Sequence, residues 1–212
     1  MPNAVNRVIK FLIYSDLTIN SAWGFLAPVF AIFIVQRITA DNVANAAVIA
    51  GFADLVYWLV KSVLQIPIGN YLDKNHGEKD DLWAMVAGLL ITASVPVIYA
   101  FSTQAVHVYF AQAVYAVGMA LVVPSWSAIF TRHIDKGEEA FEWSVRSTAL
   151  GIGTGITGAL GGILVAKFGF NVVLSIVSAF TVLSALLLTF INRDVEPKNK
   201  VLPKIPRVHL PI

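Results

Sequence analysis

Gly69-Asn70-Tyr71-Leu72-Asp73-Lys74-Asn75-His76-Gly77-Glu78-Lys79 separates two long apolar runs. The run before it, Ala44 to Leu72, is long enough that a helix over it must tilt or protrude past a hydrocarbon core of about 30 Å. The run after it, Leu82 to Phe101, contains no Asp, Glu, Lys or Arg. A helix crosses a bilayer with about 20 mostly apolar residues, so a charged turn between two such runs is where the chain leaves the membrane and re-enters it. Working outward, four more runs follow the same rule: Phe11 to Gln36, Ala105 to Thr131, Ser147 to Ala166 and Phe168 to Ile191. None shows sustained two-residue alternation, and lipid demands backbone groups satisfied within each segment. The reading is an all-α integral membrane protein of six transmembrane helices.

Composition agrees. The 212 residues are 57% hydrophobic and 13% charged, with no cysteine, and the mean hydropathy is +0.73. This balance lies outside that of a soluble domain. Without cysteine there is no disulfide framework and no thiolate metal site. A cleaved signal peptide is not expected, because the first apolar stretch is long and carries Asp16 and Asn20. The basic residues are read as topology rather than as nucleic-acid affinity. Arg7, Lys10, Lys74, Lys79, Arg132, Lys136, Arg146, Arg193, Lys198, Lys200, Lys204 and Arg207 fall on one face, against Arg37 and Lys167 on the other. By the positive-inside rule, both termini are expected in the cytoplasm and the protein in the cytoplasmic (inner) membrane. Residues 1–191 form the six-helix domain. Residues 192–212, with their prolines and basic side chains, read as a mostly unfolded cytoplasmic tail, either touching anionic lipid or simply solvated.

The loop from Gly69 to Lys79 resembles the signature loop of the major facilitator superfamily, G-x-x-x-D-R/K-x-G-x-R/K, with one extra residue between Lys74 and Gly77. The resemblance covers nearly all of Phe11 to Ile191, which is one of the two six-helix halves of a typical member. It implies a half built of two inverted three-helix repeats, and Pro28 before Ala31-Ile32-Phe33 echoes Pro124 before Ala128-Ile129-Phe130. It also implies a gate at the cytoplasmic end, assigned here to Gly69, Asp73, Lys74, Gly77 and Lys79. The aspartate of that loop meets a helix N-terminus of the opposite half, where the helix dipole favours negative charge. Arg132 and Arg146 flank the other charged loop and are expected to join Asp73 in a charge network across a dimer. Thr157 to Gly162 resembles a glycine-rich motif of the family's antiporters, without its proline. The stripe Gly151, Gly155, Gly158 and Gly162 is therefore read as a close-packing or dimer surface. The fourth span has Val114 where the family has an intramembrane arginine.

Ionisable groups inside spans usually face a cavity or a partner. Asp16, Asn20 and Trp23 share one helical face, as do Asp54, Trp58, Lys61 and Gln65. Counting depth from the helix ends brings Lys61 to Asp16, so an Asp16–Lys61 pair is expected, either tuning a proton site or holding two helices statically. Gln112, Tyr115, Met119 and Trp126 lie on one broad face of the fourth span and suit a neutral polar solute, although Trp126 also suits an interfacial belt. The expected function is secondary active transport of a sugar-like or other small organic solute by a homodimer of half-transporters, coupled to protons, in the manner of a symporter. The alternatives are a multidrug-type efflux antiporter, a non-transporting scaffold or assembly subunit, and half of a heterodimeric or longer transporter. No cofactor is implied. No phosphate-binding loop, H-E-x-x-H or G-x-S-x-G is present, so an enzyme is not expected.

Overall fold

The computed structural model of the chain describes residues 5–75 and 77–195. Its elements are α1 (Arg7–Leu26), a 3-10 turn (Ala27–Val29), α2 (Phe30–Arg37), α3 (Val43–Asn75), α4 (Glu78–Ala100), α5 (Ala105–His133), α6 (Glu139–Phe168) and α7 (Phe170–Thr189). Together they make six helical spans long and apolar enough to cross a membrane, with α1, the turn and α2 forming the first. An even number of crossings puts the start of α1 and the end of α7 at one end of the bundle, called here the terminal end.

Most boundaries shift by one to four residues from the sequence reading, and three differences have a clear physical cause. The first span is broken at Ala27–Val29, because Pro28 lacks the N–H that an unbroken helix uses and its ring crowds the preceding turn. The fifth span starts at Glu139 rather than Ser147, with Glu139 and Glu142 in its first turn, where acidic side chains favour the positive end of the helix dipole. The sixth starts at Phe170, and Phe168 instead ends α6. Gly169 separates α6 from α7 with φ +77°, a left-handed conformation that glycine adopts without a Cβ clash.

The principal pairings are α4 with α5, α1 with α6, α3 with α5, α4 with α7 and α1 with α7. Exchanging the first three spans for the last three maps this set onto itself: α1·α6 becomes α5·α3, α4·α5 becomes α7·α1, and α4·α7 is unchanged. That is the signature of two three-helix repeats packed in opposite senses. Two apolar cores fill the bundle. Ile9, Leu12, Leu82, Met85, Ile129, Phe130 and Leu188 fill the terminal end, and Phe25, Phe33, Tyr99, Val108, Phe170 and Val173 fill the other. Trp23 packs against both.

Small residues and hydroxyls join the helices, as expected where apolar burial alone gives little drive between helices. Ser15 Oγ lies 2.8 Å from Ser184 Oγ, and Ser184 Oγ also donates to the Ser15 carbonyl at 2.8 Å. Ser178 Oγ donates to the Ala93 carbonyl at 2.7 Å, joining α7 to α4. Gly161 of α6 lies so close to the Phe25 carbonyl that any Cβ there would collide with backbone. At the terminal end, Asn6 accepts from the Ile9 N–H and donates to the His133 carbonyl at 2.6 Å, tying α1 to α5.

The expected tail boundary at Asn192 shifts. Ile191 and Val195 are buried in the terminal core, the Val195 N–H donates to the Ile191 carbonyl, and Arg7 Nε lies 3.5 Å from Asp194. The rest of the tail, 196–212, lies outside the described residues.

Candidate substrate cavity and gate residues

A cavity of about 220 Å³ is lined by α1, α5 and α6, and its walls include Asp16, Asn20, Trp23, Tyr115, Met119, Trp126, Trp143 and Arg146. At about 1.5 Å rise per residue, Asp16 stands roughly 14 Å from the start of α1, inside the apolar first span Arg7–Arg37 but nearer its terminal end than its middle. A carboxylate at that depth is costly unless it is paired. Its partner is Arg146, whose Nε and Nη2 both approach Asp16 Oδ2, at 2.7 and 2.6 Å. Asn20, one turn on along α1, donates from Nδ2 to Asp16 Oδ1 at 2.8 Å. Both carboxylate oxygens are thus occupied, and the pair is largely shielded, with Asp16 13% and Arg146 25% exposed.

The guanidinium is also held by rings. Arg146 lies 4.3 Å from the ring centre of Trp126 and 5.5 Å from that of Trp143, a stacking that suits the planar, weakly hydrated guanidinium. Trp143 and Arg146 sit three residues apart and so share a face of α6. On the other side, Trp23 stacks on Tyr115 at 4.1 Å, and Tyr115 stacks on Tyr57 of α3 at 4.8 Å. The indole Nε1–H groups of Trp23 and Trp126 are buried without an acceptor among the described residues.

The family model of the Major Facilitator Superfamily matches residues 13–212. The chain belongs to the major facilitator superfamily. A search among curated proteins found no match. The superfamily is one of membrane transporters, and the six spans form one half of its fold. Within that half, the structure brings Asp16, Asn20, Trp23 and Tyr115 to one cavity and leaves other expected residues elsewhere. The Asp16–Lys61 pair does not form. Helix α3 packs mainly on α5, and the Lys61 ammonium lies over Trp58 at 4.7 Å and Tyr57 at 5.5 Å. Matching depth was not enough, because the two helices are not neighbours. Asp54 and Trp58 are exposed on α3, and Gln112 is half-buried on α5 outside the cavity lining.

The gate set also divides. Gly69 ends near Pro124 of α5, and Asp73 and Lys74 are exposed at the terminal end of α3. Gly77 is extended and caps α4, with Lys79 half-buried in its first turn. His76 lies outside the described residues. Arg132 pairs within the chain. Its Nη1 lies 2.5 Å from Oδ2 of Asp81, a carboxylate with no exposure, and beside it His133 Nε2 lies 3.1 Å from Glu78. These contacts tie α5 to α4 within one chain. Arg146, expected as a loop charge in the same network, is instead the cation of the cavity. Extending the fifth span back to Glu139 is the signal that finds it, because Trp143 and Arg146 then fall on an inward helical face.

The glycine stripe is split as well. Gly151, Gly155 and Gly162 have nothing near the place a Cβ would occupy, and Gly158 meets only Pro28 and the Gly24 carbonyl at ordinary contact distances. Packing within the chain falls to their neighbours: a Cβ on Gly153 would strike Leu17 and Ser21, and Gly161 meets Phe25.

Proposed function

We propose that the chain is a secondary active transporter that moves a small organic solute by alternating access, works as a pair of identical halves, and couples to protons through Asp16. Its terminal end is taken to face the cytoplasm, and its membrane is the cytoplasmic one. The reading is carried by one observation: a carboxylate and a guanidinium paired in the wall of a cavity inside the membrane-spanning helices. A protonatable group that exchanges partners when the halves rock changes its proton affinity between the two states, which is how a proton gradient does work on a solute. Two copies related by an axis along the membrane normal present the same surfaces to each other, as the two halves of the superfamily's fold do. Helices α3 and α6, which bury the least within the chain, supply the unpartnered faces for that contact.

The test is solute uptake into proteoliposomes with and without an inward proton gradient, across a panel of sugars and small organic acids. Gradient-driven uptake that survives unchanged in Asp16→Asn removes Asp16 from coupling.

A further inference from the structure

The walls of the cavity hold one guanidinium beside a carboxylate that is already fully engaged. Among its lining residues the acidic side chain is Asp16 and the basic one is Arg146. Asp16 has both oxygens engaged, Oδ2 by Arg146 and Oδ1 by Asn20. The indole N–H groups of Trp23 and Trp126, without acceptors among the described residues, are themselves buried behind the cavity surface, which leaves the Arg146 guanidinium as the charged donor of the walls. A ligand that pairs with that guanidinium brings acceptor oxygens. The guanidinium fork pairs most strongly with a planar carboxylate, which it bonds along one edge. The rings of Trp23, Tyr115, Trp126 and Trp143 around it suit a flat apolar body.

Resting on the transporter reading above, we infer that the substrate is a small organic anion, a carboxylate on a ring or planar body, which takes the place of Asp16 on Arg146 once Asp16 is protonated. The exchange balances. A proton adds to Asp16 Oδ2, the Asp16–Arg146 ion pair breaks, and the substrate carboxylate pairs with Arg146. The charge inside the cavity is the same before and after, so the anion enters with one proton. The groups facing Asp16 allow this assignment to be tested cleanly. Arg146 faces it from α6 and Tyr115 lines the same cavity from α5, while α7, which packs on α1, carries no titratable side chain.

The experiment is calorimetric titration of the purified full chain between pH 5.5 and 8 with benzoate, benzenesulfonate and benzamide. Benzenesulfonate stays ionised throughout, so any pH dependence of its binding belongs to the protein. Both anions are expected to bind at least about tenfold more tightly than benzamide. Benzenesulfonate affinity should rise about tenfold per unit fall in pH while Asp16 is deprotonated, the slope of one linked proton. In Asp16→Asn the slope should vanish, with the low-pH affinity of the wild type retained at every pH. Arg146→Lys, which keeps the charge, should lose about tenfold or more through loss of the planar fork. Equal affinity for benzamide, or a wild-type slope in Asp16→Asn, overturns the assignment. Anion binding without gradient-driven benzoate flux keeps the anion site and removes the transport reading. Gradient-driven flux of a neutral sugar without anion binding keeps transport and removes the anion site.

Discussion

Two acid–base pairs of similar appearance have different roles because their surroundings differ. Asp16 and Arg146 meet in the wall of a cavity, and their pairing is suited to the proposed exchange. Asp81 is fully buried beneath Arg132, and its pairing is suited to holding α4 against α5. Removing one member of a buried pair leaves an uncompensated charge, whereas removing both removes the desolvation penalty as well. Arg132→Ala is therefore expected to cost about 3 kcal/mol, the low end for a buried pair because Arg132 is 36% exposed, read as a lower midpoint of unfolding in detergent. The double variant Asp81→Ala with Arg132→Ala should recover most of that loss. A double variant no more stable than Arg132→Ala would mean that the contact contributes packing rather than charge compensation. The sequence identified Asp16 through its cost in lipid and Arg132 through its position at a helix end. Neither partner was legible, since Asp81 stands in a run of acidic residues that reads as loop, and Arg146 follows Glu138, Glu139 and Glu142, which disguise the first turns of α6.

The helices themselves were legible, because the length of an apolar run and its charged punctuation are properties of the one-dimensional sequence. Their neighbours were not, because packing depends on which face each helix turns inward, and the hydrophobic stripes in these spans are weak when lipid and core are both apolar. The glycines of α6 show the difference. An i, i+4, i+7, i+11 stripe was visible in sequence, yet the glycines packed most tightly on α1 are Gly153 and Gly161, one or two positions off it, and Gly158 on the stripe makes only ordinary contact there. This makes a paired prediction on adjacent residues. Gly161→Val drives a branched side chain into the Phe25 backbone and is expected to destabilise the bundle by about 1–3 kcal/mol or more, the usual cost of overpacking. Gly162→Val enters open space and should leave the unfolding midpoint of the isolated chain within about 0.5 kcal/mol. Equal losses at both positions, measured by thermal unfolding in detergent, would mean that α6 is rotated relative to α1.

For the whole molecule, the internal exchange symmetry constrains how two copies would meet in the proposed pair. Helices α3 and α6 are equivalent under exchange of the repeats, and both present long exposed faces, including Leu59 and Val63 on α3 and Ile152 and Ile156 on α6. With a twofold axis along the membrane normal, residues keep their depth, so the favoured contact sets α6 of one copy against α3 of the other, twice over. Leu59 and Gly155 lie at matching depths, roughly 24 Å from the terminal ends of their helices at about 1.5 Å per residue. The chain contains no cysteine, so introduced thiols report without background. A chain carrying Leu59→Cys and Gly155→Cys, treated with a short bismaleimide in membranes, should yield a cross-linked dimer, whereas either single substitution should yield far less. Cross-linking as strong in Gly155→Cys alone would place α6 against α6 across the axis. A purified wild-type chain of 23.0 kDa that stays monomeric at every detergent and lipid concentration, with no cross-link in the double variant, would leave the cavity without its second wall and rule out the symmetric pair.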